Sequence, residues 1–165
     1  MTTGIVEFYL GKNPNDEGYK IYDIWKFDDE KLEKEHHYIQ WMFPTNQKSY
    51  WNRNAPVLTD EDILMFKKNT LCMKNLRKSL RIIFKFYGFQ LSGNNVVLAE
   101  DFETRKRKWI TPNNHNFKRL SRILETLTIF GFNQTKKSLQ ELLTEIYNSN
   151  KFMIGDKTHK IWQSI

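Results

Sequence analysis

Residues 71–88, "LCMKNLRKSLRIIFKFYG", decide the fold class of this 165-residue chain, because they predict one long amphipathic helix. Apolar residues recur through the stretch at spacings of three and four, which places them on a single helical face. Gly88 follows the last apolar residue, where a left-handed residue commonly ends a helix. The apolar face comprises Met73, Leu76, Leu80, Ile83, Phe84 and Tyr87.

Similar periodicity predicts further helices on both sides of this stretch. They span residues 5–10, 28–43, 59–69, 116–130 and 134–148. In the second of these, Leu32, His36, Ile39 and Phe43 share one face, and Pro44 disfavours any continuation. The tail after residue 148 is expected to form one short closing helix.

One segment allows a different reading. Residues 95–103, "NVVLAEDFE", are compatible with a brief β segment, but the sequence offers no convincing partner strand. Residues 44–56 form an irregular link that contains Tyr50 and Trp51. We therefore predict an all-α fold: a single compact domain over residues 1–165, with five to seven helices. Its core is expected within residues 5–147 and its tail at 148–165.

Charge is unevenly distributed along the chain. The formal net charge is +7, yet residues 1–35 carry nine acidic residues and five lysines, while residues 63–122 carry fourteen basic residues and three acidic ones. This acidic N-terminal segment and basic central segment indicate either an anionic partner or electrostatic attraction between the two segments. The chain has no apolar run long enough to span a membrane and no signal peptide, so we expect a soluble, cytoplasmic protein.

Residues 33–40 raise the question of a metal site. Glu33 and His36 have the Glu-x-x-His spacing that di-iron bundles use twice, but this chain offers only a poor second copy at Asp156 and His159. His36 and His37 are adjacent and point about 100° apart on a helix, so they cannot chelate one ion in the usual way. We predict no metal and no cofactor.

Structural roles are predicted for the same polar residues. His36 lies on the inward face and is expected to bond a buried polar group, while His37 is expected to pair with Glu33 at the surface. Gln40 is expected to be buried with hydrogen-bond partners.

Catalytic motifs are scarce. The one cysteine, Cys72, excludes an internal disulfide and a cysteine-based zinc site, and no motif around it indicates a nucleophile. Glycine-rich nucleotide-binding motifs are absent. We predict no enzyme, although an unrecognised one that joins Glu33, His36, Gln40 and His115 in one pocket stays open as an alternative.

Basic residues give the second functional hypothesis, which is binding to nucleic acid or to an anionic membrane surface. Four cations recur along the 71–87 helix almost opposite its apolar face, and "RKRK" follows at 105–108. If these cations lie close together in the fold, they could bind phosphate groups; alternatively, they form an ordinary solvent-exposed helix face, which is also commonly basic. The candidate residues are Lys74, Lys78, Arg81, Lys85, Arg105, Lys106, Arg107, Lys108 and Arg122.

Several ordered motifs resemble the opioid growth factor receptor conserved-region family. "DDEKLEKEHHYIQWMFP" at 28–44 is similar to the hallmark segment of that family, with Met42 in place of its leucine. "APVLTDEDILMFK", "SLRIIFKFYGFQL" and "NNHNFKRLSRILETLTIFGF" resemble later segments in the same order. The matching positions of the first and last segments include Leu32, Glu33, His36, Tyr38, Ile39, Gln40, Trp41, Phe43, Pro44, Asn114, His115, Asn116, Arg119, Arg122, Ile123, Leu124 and Leu127.

The resemblance implies an all-α fold and a non-enzymatic module that binds a peptide or protein ligand, of the enkephalin type in the named receptors. It offers no catalytic residues. It implies nuclear or peripheral-membrane association as a further possibility, and a compact member of a bacterial or viral type. The hypothesis assigns ligand contacts to Glu33, His36, Gln40, Trp41, His115 and Arg119.

Overall fold

The computed structural model describes residues 4–165. Over that range the chain forms eleven α-helices, a single 3₁₀ turn at Lys106–Lys108 and one antiparallel sheet. The helices are α1 (Gly4–Tyr9), α2 (Ile21–Ile24), α3 (Asp29–Lys34), α4 (Tyr38–Met42), α5 (Asp60–Lys68), α6 (Thr70–Tyr87), α7 (Phe102–Arg105), α8 (Asn116–Ile129), α9 (Asn133–Ser149), α10 (Lys151–Ile154) and α11 (Asp156–Ser164). The strands are β1 (Phe89–Ser92) and β2 (Asn95–Leu98).

The chain divides into two compact units, one ending at Ile82 and the other spanning Ile83–Ile165, and α6 continues across the boundary. The prediction of a single domain over residues 1–165 stays a prediction, and residues 1–3 lie outside the described part of the chain. Among the helices of residues 4–165, none has the length and apolar character needed to cross a bilayer.

In the first unit, α1 packs against α5 and also contacts the first part of α6 through buried polar groups. Asn75 donates from Nδ2 to the carbonyl oxygen of Tyr9 at 2.7 Å. The hydroxyl of Ser79 accepts a hydrogen bond from the indole of Trp25 at 2.9 Å and lies 3.2 Å from the phenol oxygen of Tyr9. The same phenol donates to the carbonyl of Met42. Each of these buried polar groups has a partner, as burial requires.

In the second unit, α8, α9 and α11 pack against one another, and β2 packs on α9. Trp162 is fully buried and donates from its indole to the carbonyl of Phe117 at 3.2 Å. The backbone N–H of Val96 donates to the hydroxyl of Ser138 at 2.8 Å, which ties the hairpin to α9. The tail is therefore part of a core in this unit, although it forms two short helices where the sequence predicted one.

The fold is mostly helical, as predicted, but the all-α description and the count of five to seven helices are wrong. The β segment at residues 95–98 does have a partner, because β1 precedes it and pairs with it from Phe89↔Leu98 to Ser92↔Asn95. Gly93 begins the two-residue turn between the strands with a φ of 59°, which glycine adopts without strain. Of the additional helices, α2 and α7 are single turns of four residues, and the others arise because the predicted helix over residues 28–43 and the predicted tail helix are each divided in two.

The predicted helix over residues 28–43 is also wrong in one respect, since it is two helices. Glu35 has extended geometry, with φ −76° and ψ 143°, and it ends α3 before α4 begins at Tyr38. The four-residue spacing from Leu32 to His36 to Ile39 therefore does not describe one continuous face. Leu32 and Ile39 are buried, but His36 is exposed.

Replacing Gly88 with alanine is expected to lower the free energy of unfolding by about 1–3 kcal/mol through the strained backbone conformation, with a further loss from a steric contact. Gly88 ends α6 with a φ of 85°, and an added Cβ would lie only 2.9 Å from the Cα of Phe102. Urea unfolding measures the loss. Gly93→Ala is the matched control, since its φ is also positive but nothing lies within 4 Å of the added Cβ. Equal losses in the two variants would show that the contact with Phe102 is unimportant.

Candidate functional site

The candidate site lies in the first unit, where the chain breaks between α3 and α4. Asp28 caps α3 by accepting a hydrogen bond from the backbone N–H of Lys31 at 2.8 Å, and the acidic first turn suits the positive end of the helix. The extended Glu35 then redirects the chain. As a result, the ring of His37, just before α4, faces a loop that lies earlier in the sequence, at residues 13–18, instead of lying along a helix surface.

That loop supplies two carboxylates. Asn15 orders it, because its side-chain oxygen accepts from the backbone N–H groups of Glu17 and Tyr19 at 3.0 and 2.9 Å. Nδ1 of His37 lies 3.0 Å from Oδ2 of Asp16 and 3.1 Å from Oε1 of Glu17. We call Asp16, Glu17 and His37 the acid–histidine cluster.

A third carboxylate adjoins the cluster. Partial burial and a side-chain hydrogen bond to Glu35 raise the pKa of Glu17, and the nearby His37 opposes that rise. Two carboxyl groups in contact disfavour full ionisation of both. The acid–histidine cluster is therefore a place where negative charge accumulates around one imidazole.

An amide network connects this cluster to the link between α4 and α5. Nδ2 of Asn52 donates to Oδ2 of Asp16 at 3.0 Å and to Oε1 of Gln40 at 2.8 Å. Nε2 of Gln40 donates to Oγ of Ser49 at 3.0 Å. The predicted burial of Gln40 is found, and its partners are side chains of the link. We call Gln40, Ser49 and Asn52 the amide network.

Between Ser49 and Asn52 the chain exposes two large aromatic side chains. Tyr50 is 90% exposed and Trp51 is 79% exposed. Their rings contact each other edge-on, with centroids 5.5 Å apart. Because large aromatic side chains are usually buried, such an exposed pair marks a possible contact surface. We call Tyr50 and Trp51 the aromatic pair.

The predicted ligand contacts of the first unit have different surroundings. Glu33 is half-buried on α3, and His36 is exposed after it, which corrects the inward position predicted for His36. Trp41 is half-buried against Phe8, with ring centroids 5.3 Å apart. Its buried indole Nε1 has no hydrogen-bond acceptor among residues 4–165. Gln40 belongs to the amide network, so it holds the link in place.

The remaining predicted contacts, His115 and Arg119, belong to the second unit. His115 is exposed just before α8, while the side-chain oxygen of Asn114 accepts from the backbone N–H of Asn116 at 2.9 Å, as in an Asx turn. Arg119 is buried, and its Nη1 donates to Oδ1 of Asn116 at 3.4 Å. Tyr87 donates to the same oxygen at 3.1 Å. The "NNHN" motif therefore orders the start of α8, and an enzymatic pocket that joins His36 and His115 stays a prediction.

The predicted anion-binding residues fall into three groups. Four are exposed on α6, namely Lys74, Lys78, Arg81 and Lys85. In the "RKRK" tract, Arg105 forms an ion pair with Asp101 at 2.6 Å and Lys106 pairs with Glu103, whereas Arg107 and Lys108 are exposed. Burial lowers the pKa of Arg122 to about 10, which indicates a guanidinium that is largely withdrawn from solvent. Their binding role stays a prediction.

Sequence reasoning missed the acid–histidine cluster and the aromatic pair. The first joins residues from the loop at 13–18 to His37, and nothing in the sequence around His37 points to that loop. A signal for the aromatic pair was present in the sequence, because Tyr50 and Trp51 lie in an irregular link that contains several asparagines and has a proline at each end. An aromatic residue in such a link packs against its own unit or faces solvent, and the sequence does not distinguish the two.

Comparison with known proteins gives a consistent result. A family profile described as "Opioid growth factor receptor (OGFr) conserved region" matches residues 5–161. The chain is 32% identical over 145 residues to a Xenopus tropicalis protein named "Opioid growth factor receptor-like protein 1", which covers 85% of this chain and 28% of the relative. It is 31% identical over 134 residues to the mouse "Opioid growth factor receptor", covering 78% of this chain and 21% of the relative. No solved structure gives a significant match.

The extent of these matches limits what they imply. The chain spans less than a third of the length of the frog and mouse relatives. Activities and partners that depend on the rest of those relatives therefore do not follow from the match alone.

Proposed function

Because the chain belongs to the opioid growth factor receptor conserved-region family, we propose that it is a non-enzymatic binding module for a peptide ligand. The aromatic pair is its principal contact. The mouse relative is named an opioid growth factor receptor and the frog relative a receptor-like protein, and the mouse name gives a class of ligand to test. The observation that carries the proposal is the nearly full exposure of Tyr50 and Trp51.

Aromatic side chains suit this role energetically. Tyrosine and tryptophan are enriched among the residues that dominate binding free energies, since each buries a large area with few rotatable bonds. In the protein described here, that area is almost entirely accessible before a ligand arrives. A peptide with its own aromatic rings, such as an enkephalin-type peptide, could pack against both faces of the pair.

Hydrogen bonds on both sides of the aromatic pair also favour binding. Oγ of Ser49 also accepts from the backbone N–H of Asn52 at 3.1 Å, and Oδ1 of Asn52 accepts from the backbone N–H of Asn54 at 3.0 Å. The residues on both sides of the pair are thus held by local hydrogen bonds and by Gln40. A link that is already ordered loses less conformational entropy on binding, which strengthens the complex.

This arrangement also gives the family residue Gln40 a specific role. Its amide reaches from α4 to Ser49 and Asn52 at 3.0 and 2.8 Å, so it connects the helix that carries the family hallmark to the link that carries the aromatic pair. We assign Gln40 a positioning role for Tyr50 and Trp51. Direct ligand contacts by Glu33, His36 and Trp41 remain part of the proposal for the same unit.

Calorimetric titration of the full chain with an enkephalin-type peptide tests the proposal. We expect saturable binding that weakens about thirtyfold or more in a Tyr50→Ala/Trp51→Ala variant, because truncating a dominant contact costs about 2 kcal/mol or more. Phe152→Ala is the control, since Phe152 is 92% exposed but lies in the second unit. Absence of binding to the unaltered chain, or equal binding by the double variant, would refute the proposal.

A further inference from the structure

The acid–histidine cluster brings three metal-ligating groups together. One ligand atom from each of Asp16, Glu17 and His37 lies within 4.8 Å of the other two. The two carboxylates come from one loop and the imidazole from the break between α3 and α4, so His37 follows Glu17 by 20 positions and Asp16 by 21. The peptide-binding function proposed above makes no use of these three side chains.

We propose that Asp16, Glu17 and His37 bind a divalent transition-metal ion, of which Zn²⁺ is the representative. One imidazole nitrogen and two carboxylate oxygens form a donor set that suits zinc, whereas magnesium and calcium prefer oxygen donors alone. Three protein ligands leave room for water to complete the coordination. The proposal does not depend on the peptide-binding function.

The position of Nδ1 of His37 supports a metal site more strongly than the two carboxylates alone do. Nδ1 of His37 is buried and lies 3.0 and 3.1 Å from two carboxylate oxygens, yet it forms no hydrogen bond with any described residue. The ring nitrogen is thus close to both oxygens without the alignment that an N–H donor needs. An imidazole nitrogen that faces two carboxylates in this way can direct its lone pair at a cation held among the three groups.

The two separations from His37 also agree with metal coordination. Ligand atoms about 2.1 Å from a zinc ion are about 3.0 Å apart at right angles and about 3.4 Å apart in a tetrahedron. The two distances from Nδ1 of His37, 3.0 and 3.1 Å, fall at the lower end of this range. Small rotations of the two carboxyl groups would complete the site, because both belong to a surface loop.

Neighbouring groups provide the support that metal ligands usually have. Nδ2 of Asn52 donates to Oδ2 of Asp16 at 3.0 Å and thereby fixes the orientation of one carboxylate. The carboxyl group of Glu35 forms a hydrogen bond with that of Glu17 beside the site. A bound cation would relieve the repulsion among these carboxylates, and it would fasten the loop at residues 13–18 to the start of α4.

Titration of the full chain with Zn²⁺ by calorimetry tests this inference. We expect one saturable site whose affinity falls at least tenfold in His37→Ala and in Glu17→Gln, and whose affinity for Zn²⁺ exceeds that for Mg²⁺ at least tenfold. The matched control is His36→Ala, which removes the adjacent exposed imidazole outside the cluster and should leave the affinity unchanged.

Two results would overturn the inference. One is the absence of saturable Zn²⁺ binding by the unaltered chain. The other is binding that persists in both His37→Ala and Glu17→Gln, since the ion would then be held elsewhere. Circular dichroism of each variant shows whether it is folded. Because Glu17→Gln is a near-isosteric change on the surface, this variant should remain folded and report on metal binding alone. Peptide binding should be retained in Glu17→Gln, which separates this test from that of the proposed function.

Discussion

Replacing Trp109 with alanine is expected to lower the free energy of unfolding by about 3–5 kcal/mol, as truncation of a buried tryptophan does. Trp109 is fully buried in the second unit and donates from its indole to the carbonyl of Tyr87 at 3.1 Å. Its ring meets those of Tyr87, Phe89 and Phe117 edge-on, with centroids 5.4, 5.9 and 6.5 Å away. Alanine would leave a cavity among aromatic rings and a buried carbonyl that loses its donor.

Urea unfolding measures this loss, and Trp51→Ala is its matched control. The control removes the same side chain from a position that is 79% exposed, so its effect should stay within about 0.5 kcal/mol. Trp109→Phe should fall between the two, because it keeps most of the ring contacts but not the indole donor. Similar unfolding midpoints for Trp109→Ala and Trp51→Ala would contradict the assignment of Trp109 to the core.

The second large effect is a loss of stability at alkaline pH. Burial raises the pKa of the Cys72 thiol from 9.0 to about 11. As the pH rises from about 9 to about 11, the unfolded chain loses this proton while the folded chain retains it, so the unfolded state is favoured. Since each pKa unit corresponds to about 1.4 kcal/mol, ionisation of Cys72 in the unfolded chain should cost about 2 kcal/mol of stability over this window. Burial also raises the pKa of Tyr9, which acts in the same direction.

Urea unfolding at several pH values between 8 and 11 checks this expectation. The Cys72→Ala variant should lose less stability over that range than the unaltered chain, because it has no thiol to ionise. The buried thiol should also resist alkylation at neutral pH until the chain unfolds. A pH dependence that is identical in the two proteins would refute the role of Cys72.

The long helices could be predicted from sequence because each carries its own complete signal. In α6, an apolar face runs over more than four turns and Gly88 ends it. In α5, Thr59 and Asp62 form a capping box, with reciprocal hydrogen bonds of 3.1 and 2.7 Å. Periodicity and capping are local properties, so they are visible without knowledge of the fold.

The break at Glu35 could not be predicted in the same way. Apolar residues continue at helical spacing across it, and no proline or glycine marks the interruption. The tertiary contacts of His37 with Asp16 and Glu17 lie at this break. The hairpin was missed for a related reason: β1 has only four residues, and its pairing with β2 is a property of two segments together.

The candidate site was only partly predictable. The polar character of the family hallmark pointed to Gln40, whose burial and need for partners follow from its position beside apolar residues. The partners themselves, Ser49 and Asn52, lie in an irregular link whose path depends on the rest of the unit. Sequence also indicates no direction for Tyr50 and Trp51, whereas the structure shows both in solvent.

The central claim, that the aromatic pair binds a peptide ligand, is tested most directly by nuclear magnetic resonance. The indole N–H signal of Trp51 would be followed while an enkephalin-type peptide is added to the full chain. We expect this signal to shift progressively and to saturate, while the indole signals of the buried Trp109 and Trp162 stay in place. An unchanged Trp51 signal at peptide concentrations that saturate binding, or a response confined to residues of the second unit, would contradict the claim.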